Sequence, residues 1–293
     1  MIYMTLCNIC NNNKYTVIYE GEKSRDYKYY SSGNYGRIIR CNNCGLIYVN
    51  PVGKGIEKNY ETIEDKDYLK SKEARIETSK RDLKEIEKYK KEGKILDIGC
   101  GPGFFLKVAK DNGWKDYGIE LSKWACDYGK NTGVNIINKK LEKAKFNDNF
   151  FDVITLWDVI EHVEDPSGLL LEINRILKNE GIIVLNTPNI GSIFAKIMGK
   201  RWWNLMGMHV YYFDKKTIKK ILEKNGFKII KIKSYSRIII PRYAVEWLKN
   251  YKIIYGVLRI IFNKTFFRNV KPRVNFFDNM VVYAKKSEPS NKE

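Results

Sequence analysis

The stretch KILDIGCGPGFFLKVAKDNGWKDYGIE, Lys94 to Glu120, decides the fold. Ile95, Leu96 and Ile98 read as a buried strand, Gly99 to Gly103 as a glycine-rich turn, and the following residues as a helix leading to a second strand that ends in an acid. Gly99, Gly101 and Gly103 let the backbone turn tightly and approach a ligand without Cβ obstruction, while the helix start offers free N–H groups. Glu120 stands about twenty residues downstream, where a carboxylate accepts the two hydroxyls of a ribose. The pattern predicts a site for an adenosine-like cofactor.

The glycine spacing narrows that cofactor. A dinucleotide fingerprint needs G-x-G-x-x-G, and its third glycine would fall on Phe104. The run here is D-x-G-x-G-x-G, from Asp97 to Gly103. A plain strand-to-helix turn would also use glycine, but it does not require a strand before, a helix after and an acid closing the next strand.

With those elements the sequence resembles the class I S-adenosylmethionine (SAM) dependent methyltransferases, whose motif is E/D-x-G-x-G-x-G. The resemblance implies that Asp97 and the backbone at Gly99, Cys100, Gly101 and Gly103 hold the methionine part of SAM. Glu120 would take the ribose, Leu121 would pack on adenine, Leu141 would offer its backbone to the adenine ring, and Trp157 would complete the cofactor set. Relatives often carry D-x-E-x-L-P-F in the loop before strand four. This chain has Lys140-Leu141-Glu142-Lys143-Ala144-Lys145-Phe146, so Lys140 replaces the carboxylate that accepts the adenine amine.

Outward from this stretch, strands and helices alternate as in a doubly wound sheet. A helix capped by Ser122 leads to a strand at 134–137, FDVITLW (Phe151 to Trp157) is the fourth strand, and Pro166 opens the next helix. Gly181 to Asn189 is the fifth strand with its exit loop, and a helix from Asp214 to Lys224 precedes a sixth strand at 227–233. The expected fold is therefore α/β: a Rossmann-like seven-stranded methyltransferase sheet, with a SAM-binding core over 93–235 and its last strand at 279–285. Residues 53–92 read as a helical linker over the cofactor edge, 236–278 as a helical insertion or cap, and 286–293 as a disordered tail.

Residues 1–52 carry two C-x-x-C pairs, Cys7/Cys10 and Cys41/Cys44, with Gly45 after the last. Two such turns complete a tetrahedral shell of four sulfurs, predicting a zinc ribbon with strands near 15–20 and 37–40. The gap between the pairs exceeds the usual one, which predicts an extra loop carrying Tyr27, Tyr29, Tyr30 and Tyr35. A redox pair would need C-x-x-C opening a helix in a βαβ setting, which is absent. Four protein ligands leave no open position, so this zinc is expected to be structural.

Of the 293 residues 30% are charged and 44% apolar, an ordinary globular balance, and the formal net charge is +19. Between Lys196 and Arg273, 20 Lys and Arg face three acids, so this segment carries +17. A general Lys-rich habit explains that excess, or else an anionic partner does: a nucleotide, a phospholipid surface or RNA. No early stretch has signal-peptide organisation, and the apolar run 253–262 is broken by Arg259 and too short to span a bilayer. A cytoplasmic location is expected, with membrane association left to the basic insertion.

Two histidines are candidates for chemistry. His162 follows strand four in W-D-V-I-E-H-V, which resembles many small-molecule O- and C-methyltransferases and not the N-P-P-Y type of base-amino methylation. His209 lies in an aromatic connection, 187–213, with Trp202, Trp203, Met206 and Met208. Either is a candidate base for an acceptor hydroxyl, but the plainer reading of each is a packing or loop-orienting residue, and transfer by alignment with the activated methyl needs neither. Ribbon and SAM domain together resemble bacterial and archaeal enzymes that modify sugars or surface-glycan precursors. That implies methyl transfer to oxygen or carbon of a small or lipid-linked acceptor. An RNA methyltransferase, a quinone or phenol O-methyltransferase and a non-catalytic SAM-binding scaffold are the alternatives.

Overall fold

The computed structural model describes residues 6–21, 37–52, 57–239, 255–256, 262 and 271–287. The tyrosine-rich loop, the middle of the expected helical insertion and the tail from 288 lie outside the described residues.

In chain order the first strands are β1 (Tyr15–Tyr19), β2 (Arg37–Cys41) and β3 (Ile47–Asn50). Helices α1 (Lys58–Glu61), α2 (Lys66–Lys70) and α3 (Lys72–Ile86) follow as the sequence predicts for the linker. The core then alternates β4 (Lys94–Ile98), α4 (Phe104–Asp111), β5 (Lys115–Ile119), α5 (Lys123–Asn131), β6 (Ile136–Ile137), α6 (Leu141–Ala144), β7 (Phe151–Trp157), α7 (Pro166–Ile176) and β8 (Leu177–Pro188). Beyond it come α8 (Ile193–Met198), β9 (Tyr211–Tyr212), α9 (Lys215–Lys224), β10 (Phe227–Ser234), β11 (Arg237–Ile238), β12 (Arg273–Val274) and β13 (Asn279–Lys286).

Seven strands form one sheet in the order β10-β13-β8-β7-β4-β5-β6. The run from β8 to β6 is parallel, and β13 inserts antiparallel between β8 and β10. Successive residues of the central strands face opposite layers, as the two-residue period of a strand requires. Ile95 and Val153 pack with Leu83 and Ile86 of α3 and Phe105 of α4. Leu96 and Ile154 pack on the other face with Leu170 and Ile173 of α7 and Ile218 and Ile221 of α9. Helix starts follow local chemistry: Ser122 caps α5 through the Ala125 amide, and Asp214 and Thr217 form a reciprocal capping box on α9.

Three expectations change. The N-terminal module is not self-contained, because β3 pairs antiparallel with β9, and the order β1-β2-β3-β9 makes one four-stranded sheet from the N-terminal strands and the connection after β8. The ends of the supposed helical insertion pair as β11 and β12. Lys286, assigned to the tail, pairs with Phe227 as the last residue of β13.

Candidate functional site

Asp97, Glu120 and Trp157 lie at the carboxyl edge of β4, β5 and β7, where the open sheet leaves a crevice. Two cavities open there. Asp97, Gly99, Cys100, Trp157, Asp158 and Asn186 floor the first, beneath Tyr68 of α2 and Arg75 and Thr78 of α3. Glu120, Leu121, Leu141, Val159 and His162 line the second, with Glu57, Tyr60 and Lys140. Gly99 and Asp158 border both.

The glycine turn and the end of β5 are one unit. Glu120 accepts the Gly101 amide on Oε2 and the Leu121 and Ser122 amides on Oε1, each at 2.8 Å. Gly99, at φ +68, faces Val159, and a Cβ there would stand 2.6 Å from its Cγ2. Gly101, at φ +53, lies beneath the Tyr68 hydroxyl. Gly103, at φ +78, begins α4 with its back against Val134, so packing against the helix layer adds to its conformational requirement. The Cys100 side chain packs in the core with Leu106, Cys126 and Ile136, and the residue also borders the first cavity.

Several site residues carried no sequence signal that we read. Glu57 enters the second cavity from the linker and ion-pairs with Lys140, bringing a carboxylate to the place where the loop lacks one. Ser122 Oγ donates to the Ile63 carbonyl at 2.8 Å, tying the linker to the end of β5. Arg75 lies over the Tyr68 ring at 3.5 Å, and both line the first cavity. Arg237 of β11 holds both Asp158 oxygens, at 2.6 and 2.5 Å, and walls the first cavity. Asn186 had a legible sign, an amide directly after the apolar run Ile182 to Leu185.

A polar ligand is what these walls lack. Trp157 Nε1 and both ends of the Asn186 amide are buried without a hydrogen bond, and both residues line the first cavity. Unmade bonds of this kind are costly unless something fills them. Burial pushes Asp97 up to about 8, against the pull of the Thr155 hydroxyl and with the push of the Glu120 charge. Glu120 is also raised by burial, with its three amides opposing. Unpaired donors, a buried acid awaiting a cation and a glycine cradle fit the amino-acid and ribose ends of SAM.

The histidines come together although far apart in sequence. His162 and His209 stand edge to face with ring centroids 4.6 Å apart. His162 is partly buried in the cavity wall, whereas His209 is 5% exposed. Burial lowers the basicity of both, and the neighbouring His162 lowers His209 further. Both imidazoles are thus neutral near pH 7.

The four cysteines also converge. One sulfur from each of Cys7, Cys10, Cys41 and Cys44 lies within 4.8 Å of the rest, with Cys7 and Cys44 sulfurs 3.3 Å apart and all four free of disulfides.

The family model for the methyltransferase domain matches residues 72–232, more than half of the chain. The chain belongs to this methyltransferase family. The methyltransferase is 27% identical over 186 residues to demethylmenaquinone methyltransferase of Staphylococcus saprophyticus, covering 54% of this chain and 79% of that protein. It is 32% identical over 102 residues to ubiquinone biosynthesis O-methyltransferase of Colwellia psychrerythraea, covering 32% of this chain and 42% of that one. Its fold superimposes on a SAM-dependent methyltransferase from Archaeoglobus fulgidus with TM-score 0.53 at 21% identity, covering 76% of this chain and all of that one. A Thermotoga maritima SAM-dependent methyltransferase gives 0.51 at 18% identity, with 74% and 91% covered. Fold, family and cleft agree that the enzyme is a SAM-dependent methyltransferase.

Asp97 yields a first test. At pH 7 its raised pKa keeps it protonated, and a cationic group of SAM beside it favours the carboxylate. Calorimetry in buffers of different ionisation enthalpy should therefore find about one proton released on SAM binding at pH 7 and none near pH 9.5. The affinity should rise with pH up to about 8. Without ligand the sign reverses for stability: the folded chain keeps a proton that the unfolded chain sheds above about pH 4, so stability falls as pH rises through that window.

Proposed function

We propose that the enzyme transfers the SAM methyl group to a hydroxyl oxygen of a small acceptor, a sugar or glycan precursor. The observation that carries this reading is His162, neutral, partly open to the cavity and next to the wall that borders both cavities. SAM supplies the activated methyl on its positive sulfur. Glu120 and Leu121 would hold the ribose and adenine; Asp97, Asn186 and Arg75 would orient the amino-acid end. Tyr68 and the linker helices keep water from the cleft, and alignment supplies much of the rate. His162 is the side chain that acts on the acceptor hydroxyl. His209, buried behind it with Nδ1 at 2.8 Å from the Asn204 carbonyl, fixes it in place.

Cys7, Cys10, Cys41 and Cys44 are proposed to hold one structural zinc, since four thiols at these separations match a closed tetrahedral set. A lipid-linked acceptor, presented at an anionic membrane surface, has support from the exposed Ile193 and Ile197, which share α8 with Lys196. No helix among the described residues is long and apolar enough to cross a membrane. A second reading, transfer to a quinol or phenol, has support from the named quinone-pathway relatives and from the aromatic wall of Trp157 and Tyr235, stacked at 6.0 Å. RNA is the less favoured acceptor, and its sign would be salt-sensitive retention of RNA on the purified protein.

Product mass spectrometry with nucleotide sugars, phenols and RNA separates these readings. His162→Ala should lower methyl transfer about 100-fold or more while SAM affinity stays within about 3-fold. Transfer at the wild-type rate in that variant would remove the assignment of His162.

A further inference from the structure

Glu161 precedes His162 in sequence, and the fold lays the segment after His209 along it. Val210 and Tyr211 both donate their amides to the Glu161 carbonyl, at 2.8 and 3.1 Å. One ligand atom from each of Glu161, His162 and His209 lies within 4.8 Å of the other two.

The hydrogen-bond pattern fixes which atoms are available. His162 Nδ1 is 3.0 Å from the Met208 carbonyl and 2.8 Å from the Tyr60 hydroxyl, and His209 Nδ1 is 2.8 Å from the Asn204 carbonyl. A carbonyl only accepts, so a proton on His209 Nδ1 answers Asn204 and leaves Nε2 a lone pair; the same tautomer at His162 lets Nδ1–H be shared between the Met208 carbonyl and the Tyr60 oxygen. Glu161 is 1% exposed; its Oε2 accepts from Thr187 at 3.0 Å, but its Oε1 is buried with no hydrogen-bond partner. The Glu161 carboxylate, with one buried oxygen that no donor answers, thus stands beside two imidazoles. Ligand imidazoles in metal sites are held in the same manner, the second ring N–H donating to a backbone carbonyl.

We infer that Glu161, His162 and His209 bind one divalent transition-metal ion, at a site separate from the four cysteines. Two imidazoles and a carboxylate are a donor set that zinc and its neighbours accept, at about 2.0–2.2 Å for zinc. Three protein ligands leave a position open, and His162 lines the cavity. This use of the ion rests on the hydroxyl-transfer reading: the ion would lower the pKa of the acceptor hydroxyl, and His162 would act on that hydroxyl by holding the ion. Occupancy itself does not depend on the acceptor.

The test is metal counting and cobalt spectroscopy on the full chain, purified without a metal-binding tag. After equilibration with Zn²⁺ and dialysis, wild type should retain two ions per chain. With Co²⁺ it should show a thiolate charge-transfer band from the cysteines and separate d–d bands from a nitrogen and oxygen site. Glu161→Gln and His209→Asn should each lose the second ion and those d–d bands and keep the thiolate band. One ion in wild type with the thiolate spectrum alone overturns the site, as does a second ion that survives both substitutions. The wild-type spectrum decides even where a variant fails to fold. SAM calorimetry on the same samples reads the cofactor site independently, so loss of the ion and failure of the methyltransferase reading are told apart.

Discussion

Gly99→Ala is expected to weaken SAM binding by about 100-fold, whereas Gly101→Ala should cost about 10-fold or less. Both glycines have positive φ, so an alanine pays a left-handed penalty of roughly 1–2 kcal/mol at either position. What separates them is the neighbour. A Cβ on Gly99 falls 2.6 Å from Val159 Cγ2, so the turn or Val159 must move by about 1 Å to restore van der Waals contact. Gly99 borders both cavities and Val159 lines the second, so that movement displaces the cofactor's bed itself. At Gly101 the added methyl meets only the Tyr68 ring end, at 3.7 and 3.8 Å, an ordinary contact. Calorimetric titration of both variants, with melting temperatures to exclude unfolding, gives the comparison. Equal losses would mean that backbone strain alone decides, and the contact with Val159 would then play no part.

The sheet was legible because its strands repeat a local pattern. Phe151 to Trp157 is read with the bounds the structure has, since a largely buried strand is a run rich in β-branched, aliphatic and aromatic residues flanked by turn residues. The cleft residues Asp97, Gly99 and Glu120 were legible for a related reason: they lie on one strand-turn-helix-strand unit, within about thirty residues. Glu57, Arg75 and Arg237 were not, because each reaches the cleft from a distant element and none sits in a motif. Strand β9 was hidden for a further reason. Two tyrosines make no period, and only the facing β3 edge turns Tyr211 and Tyr212 into a strand. Lys140 was legible as a departure, but its partner Glu57 was found only in the fold. The sequence motif also presented His162 and His209 as rival bases, and the structure makes them neighbours.

Replacing Cys7 and Cys41 together by serine is expected to lower methyl transfer at least about 100-fold while SAM affinity changes by about 3-fold or less. Zinc held by four thiolates contributes on the order of 10 kcal/mol in small modules, and three of these four cysteines are buried. Without the proposed zinc, the N-terminal module would lose the link between residues 7–10 and 41–44. The consequence travels through contacts that reach the histidines. Lys220 Nζ of α9 donates to the Cys44 carbonyl at 2.9 Å, and the Val49 amide of β3 donates to the Val210 carbonyl at 2.8 Å. Tyr48 stacks on Tyr211 at 6.0 Å, and the Tyr211 hydroxyl donates to the Glu164 carbonyl at 3.1 Å. The loop carrying His209 is thus clamped between the ribbon and the Glu161 backbone, and releasing β3 frees His209 from His162. The glycine turn and Glu120, proposed to hold SAM, share no hydrogen bond with the cysteine turns among the described residues, so cofactor binding should persist. Substitution is preferable to a chelator here, because a chelator would also strip an ion from Glu161, His162 and His209. Full activity in the double variant would mean that β9 holds His209 without the ribbon, and the four-cysteine module would then serve no purpose in methyl transfer.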